Sequence, residues 1–356
     1  MELASQIIGW YRNNFRRLPW RETRDPYRIW VSEVILQQTR VDQGLPYYQR
    51  FLEKFPDIYS LASAPEKEVL KIWQGLGYYS RARNMQAAAK VIVERFNGSF
   101  PRRYQELIQL KGIGDYTASA VASFAFDQPH PVIDGNVMRL VARLKGISVP
   151  VDSTTGRKMV LEFLQKEIPE ENPGIFNQAV MEFGAVVCKP RKPLCSECPF
   201  SGLCKAFNKG IVNNIPVKMK KQAPTLRFFH YFVPILKEDN QVFTFVKQRS
   251  GKDIWKDLYE FPSLESDHLY EWEELVRMQE FGRICPGRTP ALIDSGTLQH
   301  ILSHRKLYAR YFLYNCRSVP TGYIRVNYND LKDYPVSRLI EKIRNRVNIT
   351  FSALKD

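Results

Sequence analysis

Residues 104–126 read YQELIQLKGIGDYTASAVASFAF, and this stretch decides the fold. Apolar residues recur at three-and-four spacing on both sides of the glycines, which predicts two helices joined by a tight turn. Gly112 and Gly114 permit positive φ at the joint and leave backbone N–H groups at the start of the second helix free to bind a phosphate oxygen. A plain turn between two packed helices is the simpler interpretation of the same residues.

Further helical patterns surround this hairpin. The runs with three-and-four spacing are LASAPEKEVLKIW (61–73), RARNMQAAAKVIVERF (81–96), NVMRLVARL (136–144) and RKMVLEFLQKEI (157–168). The spacing predicts that residues 1–210 form an all-α region.

The chain changes character after residue 210. Residues 211–225, IVNNIPVKMKKQAPT, contain proline and three lysines but no acidic residue and no periodicity, which is typical of a linker. Alternating aromatic and β-branched runs at 228–236, 242–249 and 307–315 predict strands, and 271–278 predicts a helix. Residues 226–356 are therefore expected to form an α+β domain.

The composition of the 356 residues is that of a globular protein, with 44% hydrophobic and 25% charged residues. The net charge is +15, of which +11 lies in residues 1–225, so a polyanion and above all nucleic acid is the expected partner. A charged membrane surface is the alternative. No run approaches the ~20 apolar residues of a bilayer span, and the N-terminus lacks signal-peptide features. We expect a soluble, unexported protein, which in a bacterium would be cytoplasmic and nucleoid-associated.

Four of the six cysteines lie close together, unlike a secreted disulfide framework. Cys188, Cys195, Cys198 and Cys204 are separated by six, two and five residues. Zinc knuckles usually pair two short Cys or His spacings, whereas here one CxxC is flanked by longer gaps, so the spacing favours an iron–sulfur cluster over a structural zinc. A cluster would also order the basic residues of 189–192, and ordered cations suit a phosphate backbone.

Two carboxylates are candidates for chemistry. Asp134, in VIDGNV (132–137), precedes a predicted helix, where it could serve only as an N-cap, although the N–H bonds of a cap also keep a carboxylate ionised. Glu33, in WVSEVILQQT (30–39), has apolar neighbours at helical spacing; a solvated Glu33 facing Arg40 is the alternative. A desolvated Glu33 would have a raised pKa and could donate a proton beside an anionic Asp134, as in glycosyl-cleaving sites.

The order of motifs resembles a known family. The motifs are LPWR (18–21), WVSEVILQQTRV (30–41), GLGYYSRARN (75–84), LKGIGDYTASA (110–120), VIDGNVMR (132–139) and the four-cysteine loop. They are similar to the helix-hairpin-helix DNA glycosylases with a 4Fe-4S cluster, and above all to the MutY-type adenine DNA glycosylases, which carry a Nudix-like domain after a connector. The resemblance implies a six-helix domain over about 21–133 and a cluster domain formed by about 1–20 and 134–210.

The resemblance also implies residue roles. Glu33 would protonate N7 of adenine and Asp134 would stabilise or transiently capture the sugar cation, while Tyr116 and Asn136 would line the sugar. The sister family, endonuclease III, has a Schiff-base lysine where this chain has Tyr116, so a monofunctional glycosylase is expected. The implied adenine pocket is Trp20, Arg21, Leu36 and Gln178. The implied contacts to DNA and to the base opposite the adenine are Gln38, Thr39, Leu76, Tyr78, Gly112 and Gly114.

The C-terminal half suggests a second enzyme class. LYEFPS (258–263) is similar to the start of the Nudix pyrophosphatase signature, but EWEELVRMQEFG (271–282) lacks the Arg-Glu and paired Glu that hold Mg²⁺. We therefore expect a Nudix-like recognition domain without that metal chemistry. Cys285 and Cys316 are interpreted as buried free thiols.

One further motif in this half, HILSH (300–304), has two histidines four residues apart. That spacing suggests a metal site, although a loop or strand start is the simpler interpretation. The stretch also resembles the family's Phe-Ser-His loop that senses 8-oxoguanine, with Leu302 in place of the phenylalanine. Ser303 and His304 are then the candidate contacts.

We therefore expect an adenine DNA glycosylase of base excision repair that acts as a monomer on duplex DNA with adenine opposite 8-oxoguanine or guanine, and that has no membrane partner. One alternative is an endonuclease III-like pyrimidine glycosylase and lyase, against which Tyr116 and the C-terminal domain stand. The other is a non-catalytic iron–sulfur protein that binds lesions, against which the two carboxyl groups stand.

Overall fold

The computed structural model describes residues 2–220, 222–286, 289–316 and 322–353. Contacts divide the chain into two units. The helical unit consists of residues 1–63 and 84–221, and the mixed unit of residues 64–83 and 222–356. The division of the helical region into two domains and a linker over 211–225 stays a prediction, and Lys221 of that linker lies outside the described residues.

Helices dominate the first two thirds of the chain. Within the described ranges they are α1 (Glu2–Asn14), α2 (Pro26–Ile35), α3 (Val41–Lys54), α4 (Ile58–Ser63), α5 (Glu66–Ile72), α6 (Ser80–Phe96), α7 (Tyr104–Leu107), α8 (Asp115–Phe126), α9 (Gly135–Lys145), α10 (Thr154–Glu167), α11 (Pro173–Val186), α12 (Lys205–Asn208), α13 (Trp272–Leu275), α14 (Gln279–Ile284) and α15 (Arg338–Ala353). The prediction of an all-α region followed by an α+β domain is confirmed.

The hairpin that joins α7 to α8 forms with a shorter first helix than the apolar pattern predicts. Gly112 has φ +82°, and a Cβ there would lie 2.5 Å from the Cβ of Asn84, so glycine is required. Gly114 caps α8 with extended backbone (φ −97°), so only one of the two glycines uses the left-handed region. A Cβ at Gly114 would have no atom within 4 Å, which leaves the N-terminus of α8 open to a ligand.

The helical unit has a core beneath the cysteine loop. Phe176, Phe183 and Phe200 are fully buried, and Phe183 meets Phe200 edge to face with ring centroids 5.1 Å apart. The same core contains apolar residues of α1, α9, α10 and α11, and the side chains of three of the four clustered cysteines pack against it. This core therefore fixes α9 and α11, the two helices that carry residues of the candidate site.

A mixed sheet forms the centre of the mixed unit. The strands within the described ranges are β1 (Thr225–Glu238), β2 (Gln241–Gln248), β3 (Tyr259–Glu260), β4 (Ser263–Ser266), β5 (Leu292–Leu302), β6 (Arg305–Asn315) and β7 (Ile324–Asn327). Their order is β3-β2-β1-β6-β5, with β4 paired to β1 and β7 to β2. β1 and β6 run parallel, and the other strand pairs are antiparallel.

Helices cover both faces of this sheet. Alternate residues of β1 point to opposite faces, so that Tyr231 packs in the core under α15 and Phe232 packs in the core under α13 and α14. The predicted strands at 228–236, 242–249 and 307–315 correspond to β1, β2 and β6. Cys285 and Cys316 are buried and form no disulfide, in agreement with the prediction.

Strand β5 is longer than the sequence indicates. The predicted loop or strand start at 300–304 is instead the end of β5, followed by a two-residue turn at Ser303 and His304 that leads into β6. Within the described ranges, no helix is both long and apolar enough to cross a membrane.

Candidate active site

A cavity in the helical unit gathers the predicted catalytic residues and the predicted adenine pocket. All eight of these residues line it: Trp20, Arg21, Glu33, Leu36, Tyr116, Asp134, Asn136 and Gln178. They come from five separate stretches of the chain, which the helical fold brings to one place.

Glu33 lies on the last turns of α2, which begins with Asp25 as N-cap and Pro26 in the first turn. The Glu33 residue is only 5% exposed, so the alternative of a solvated glutamate is wrong. Burial raises the pKa of Glu33 to about 7, although the Tyr116 hydroxyl, which donates to Oε2 at 2.5 Å, opposes this rise. Glu33 therefore populates both its acid and its anionic form near neutral pH.

Asp134 is the N-cap of α9, as the sequence suggests. Its Oδ1 accepts from the backbone N–H groups of Asn136 (2.8 Å) and Val137 (2.7 Å), and its Oδ2 accepts from Asn136 Nδ2 at 2.7 Å. These bonds lower the pKa of Asp134, as expected for a cap, but burial outweighs them and raises that pKa above its ordinary value.

Arg139 connects this carboxylate to the cysteine loop. Its Nη2 donates to Asn136 Oδ1 at 2.8 Å and its Nε donates to the Cys188 carbonyl at 2.7 Å. Arg139 is also 8% exposed, so neither bond competes with bulk water. One guanidinium thus fixes both Asn136 and the first cysteine of the cluster.

Glu182 is a residue of the cavity that the sequence analysis missed. Its buried carboxylate accepts from Arg16 (Nε, 2.6 Å; Nη2, 2.8 Å) and from Arg21 (Nη2, 2.7 Å). Burial would raise the pKa of Glu182, but the two arginines outweigh it and lower the pKa to about 2. The signal was available, because Glu182 follows Gln178 by one helical turn on α11.

Gln178 and Trp20 are held from outside the cavity. The Tyr11 hydroxyl donates to Gln178 Oε1 at 2.8 Å, which leaves the amide N–H groups of Gln178 for a ligand. Trp20 packs edge to face on Tyr48, with ring centroids 5.2 Å apart. Both side chains are therefore oriented before any base enters.

The predicted DNA contacts lie in both units. Gln38 (φ +58°) and Tyr78 (φ +46°) adopt left-handed backbone that non-glycine residues rarely use, a strain that concentrates at functional sites. Thr39 lines the cavity just described. In the mixed unit, Leu76, Tyr78, Ser303 and His304 line a second cleft, where the Tyr78 hydroxyl is hydrogen-bonded to Ser303 Oγ. The hairpin glycines line neither space.

The cysteine loop surrounds a cavity of its own. Cys188, Cys195, Cys198 and Cys204 all line it, together with mainly apolar side chains. Burial, with a smaller contribution from the other thiolates, raises the pKa of Cys198 to about 11, so thiolates here require a cationic partner. Four cysteines around one cavity supply the thiolate ligand set of an iron–sulfur cluster, and the chemistry of these residues fits that group.

Three family models match the chain. Residues 31–170 match the HhH-GPD superfamily base excision DNA repair protein, residues 188–204 the iron–sulfur binding domain of endonuclease III, and residues 231–346 the NUDIX domain. The adenine DNA glycosylase of Mus musculus is 35% identical, and the alignment covers 85% of this chain and 68% of the mouse protein. This chain belongs to the adenine DNA glycosylase family.

Other adenine DNA glycosylases support the assignment. The Homo sapiens enzyme is 44% identical over 85% of this chain and 64% of its own length, and the enzyme of Buchnera aphidicola (strain Bp) is 35% identical over 75% of each chain. The chain is accordingly a DNA N-glycosylase of base excision repair that carries a 4Fe-4S cluster. The predicted enzyme class and the predicted cofactor are both confirmed.

Solved structures support the fold of the glycosylase region. A thermostable thymine-DNA glycosylase is 30% identical with a TM-score of 0.54, over 58% of this chain and 95% of that one. A trapped endonuclease III–DNA covalent intermediate is 27% identical with a TM-score of 0.51 over the same shares. The resemblance to a helix-hairpin-helix core followed by a Nudix-like domain is confirmed for this adenine DNA glycosylase.

Proposed function

We propose that this glycosylase removes adenine that is paired with 8-oxoguanine or guanine, as a monomer on duplex DNA and without cutting the strand. The observation that carries the proposal is the cavity in which a buried Glu33 lies with Asp134 and with polar groups suited to a purine. A base must leave the helix to enter such a cavity, and flipping costs least at a mispair.

In the proposed mechanism Glu33 is the general acid. Its carboxyl is protonated in part near neutral pH and donates to N7 of adenine, which makes the base a competent leaving group. The Tyr116 hydroxyl holds Glu33 in place through the bond to Oε2. Such acid catalysis typically contributes a rate factor of ~10²–10⁴.

Asp134 is the proposed anion beside the reacting sugar. As the base leaves, positive charge develops at C1′, and the Asp134 carboxylate stabilises it or captures it transiently before water attacks. The three bonds from Asn136 and Val137 fix the carboxylate, so little reorganisation is needed when the charge appears. Tyr116 cannot form the imine through which a lyase would cleave the strand.

The adenine is held by groups that are already oriented. The Gln178 amide donates to ring nitrogens, Trp20 and Leu36 provide apolar walls, and Arg21 is fixed by Glu182. Cys188, Cys195, Cys198 and Cys204 would hold a 4Fe-4S cluster, and their ligation would order the basic loop that follows Cys188. That loop and the open N-terminus of α8 at Gly114 are the proposed phosphate contacts.

Recognition of the opposite base is assigned to the cleft of the mixed unit. Tyr78 and Ser303 are hydrogen-bonded to each other there although 225 residues separate them. Ser303 lies at the exposed turn between β5 and β6, where its hydroxyl can exchange that bond for one to the 8-oxo or N7–H group that distinguishes 8-oxoguanine. Leu302, at the end of β5, replaces the aromatic residue of the family loop.

The test is adenine release from duplexes with A opposite 8-oxoguanine, G, C or T under single-turnover conditions. We expect release opposite 8-oxoguanine and G, with 8-oxoguanine preferred. In Ser303→Ala the preference for 8-oxoguanine over G is expected to fall while release opposite G is retained. Equal loss on both substrates would contradict a role of Ser303 in recognition.

Glu33→Gln and Asp134→Asn keep the shape of the side chains while removing the acid and the anion. Each is expected to abolish release and to leave duplex binding intact. Wild-type single-turnover rates in either variant would refute the assigned role.

A further inference from the structure

The loop Gly251–Asp257 lies in the cleft of the mixed unit beside Tyr78 and Ser303, and neither the proposed mechanism nor the proposed base contact uses it. In its sequence, GKDIWKD, the fold holds Asp253 and Trp255 in place, whereas the side chains of Lys252 and Lys256 on either side are not held. Trp255 (φ +60°) and Asp257 (φ +66°) both adopt left-handed backbone. Non-glycine residues keep such a conformation only where the surroundings enforce it.

The first anchor of the loop is Asp253. Arg227 binds its carboxylate in bidentate fashion, with Nη1 2.9 Å from Oδ1 and Nη2 2.7 Å from Oδ2. Arg249 (3.2 Å) and Arg305 (3.3 Å) bind it as well. The hydrogen bond from Arg227, together with the charge of Arg249, lowers the pKa of Asp253 to about 2, so the anchor stays charged at every physiological pH.

Two more anchors hold the C-terminal side of the loop. Arg83 donates to the Lys256 carbonyl at 2.7 Å and pairs with the Asp257 carboxylate at 3.4 Å. Trp255 packs against the core under α15, with its ring 6.0 Å from that of His300. The loop backbone is therefore set before any ligand arrives.

The arginines around the loop are neutralised, but its lysines are not. Lys252 and Lys256 are exposed and line the cleft. Neither makes an ion pair with any residue in the described ranges. Two unpaired cations on a loop with a fixed backbone are suited to an anion that approaches along the cleft, because only the lysine side chains, and not the backbone, lose freedom on binding.

We propose that Lys252 and Lys256 form a phosphate clamp for the DNA strand that carries the base opposite the adenine. The inference rests on the proposed contact of Tyr78 and Ser303 with that base, since the clamp lines the same cleft. The lysines bind the backbone on the flanking nucleotides, and their contacts are independent of which base is opposite. The clamp adds affinity and register, whereas Ser303 adds discrimination.

The test compares the salt dependence of duplex binding between the wild type and a variant without the two lysines. The probe is a duplex with 2′-fluoro-2′-deoxyadenosine, which resists excision, opposite either G or 8-oxoguanine. In Lys252→Ala/Lys256→Ala the slope of log K against log salt is expected to fall by ~1.8, since each lost phosphate contact removes ~0.9. Between 50 and 200 mM salt, the wild type should therefore lose about tenfold more affinity than the variant.

The matched control is Lys237→Ala/Lys332→Ala, which removes two exposed lysines of the mixed unit that do not line the cleft. It should keep the wild-type slope, and Lys252→Arg/Lys256→Arg should restore it. An unchanged slope in the alanine variant, or an equal fall in the control, overturns the clamp. If instead Ser303→Ala leaves the 8-oxoguanine preference intact, the proposed base contact is wrong. The slope of log K against log salt on the A·G duplex still shows whether the two lysines bind phosphates.

Discussion

The pH dependence of adenine release provides a sharp test of the site, through the single change Tyr116→Phe. Burial raises the pKa of Glu33 to about 7, and the acid form is the active one. Between pH 6 and pH 8 the protonated fraction of such a group falls from about nine-tenths to about one-tenth. The wild-type single-turnover rate should therefore fall about tenfold over this interval.

Tyr116→Phe keeps the ring that covers Glu33 but removes the hydroxyl that donates to its carboxylate. A hydrogen bond to a charged group contributes about 1.5–3 kcal/mol, and 1.36 kcal/mol corresponds to one pH unit. Because that bond favours the anion, its loss should raise the pKa of Glu33. The alkaline limb of the pH–rate profile is then expected to shift to higher pH by about one to two pH units.

The assay is single-turnover release from an A·8-oxoguanine duplex with enzyme in excess, from pH 5.5 to 9.5, with each time point quenched in alkali to reveal abasic sites. Duplex binding at each pH, measured with the 2′-fluoro analogue, separates affinity from chemistry. A wild-type profile that is flat from pH 6 to 9, or an alkaline limb that shifts to lower pH in the phenylalanine variant, would refute the assignment of Glu33 as the acid.

Three further changes test other parts of the site. Glu33→Gln should raise the melting temperature at pH 8 but not at pH 5. As pH rises through the folded pKa of about 7, the buried carboxyl becomes charged and the free energy of unfolding falls, by up to about 3 kcal/mol relative to an ordinary glutamate. Equal shifts of the melting temperature at both pH values would argue against a buried charge. Cys198→Ser should lower the iron content from about four atoms per chain, the number in a 4Fe-4S cluster, and weaken duplex binding; metal analysis that finds one zinc and no iron in the wild type would contradict the cluster. Tyr116→Lys should be trapped on DNA by borohydride while the parent is not, since only an amine forms the imine; efficient trapping of the parent would mean that another lysine serves and that the enzyme is a lyase.

The sequence predicts the fold class and most of the cavity because helical periodicity and the ordered motifs are local signals. The burial of Glu33 is not a local property, since Tyr116 and Asp134, which influence its pKa, come from other parts of the chain. Spacing around Glu33 alone could not decide between the core and a solvated face. The upward shift of the Asp134 pKa cannot be predicted for the same reason: the cap is visible in the sequence, but the burial is not.

Other structural features have no sequence pattern from which they could be predicted. The grouping of residues 64–83 with the mixed unit cannot be predicted from their helical spacing, which specifies a helix but not its partner. Strand β5 reads LIDSGTLQHIL, whose polar residues and glycine do not give a clear alternation. The loop Gly251–Asp257 depends on arginines from distant positions, so neither its backbone nor its exposed lysines could be inferred in advance.

The two arginines that bind Glu182 determine how far the catalytic part of this chain can be trimmed. The matched glycosylase domain begins at residue 31, but Arg16 and Arg21 precede it. A fragment cut at that border would keep every proposed catalytic residue and still leave a buried carboxylate without a partner on α11, a defect that costs about 3–5 kcal/mol. Arg16, Leu18, Trp20 and Arg21 are therefore part of the wall of the active site, and a truncation that removes them is a mutation of the enzyme itself.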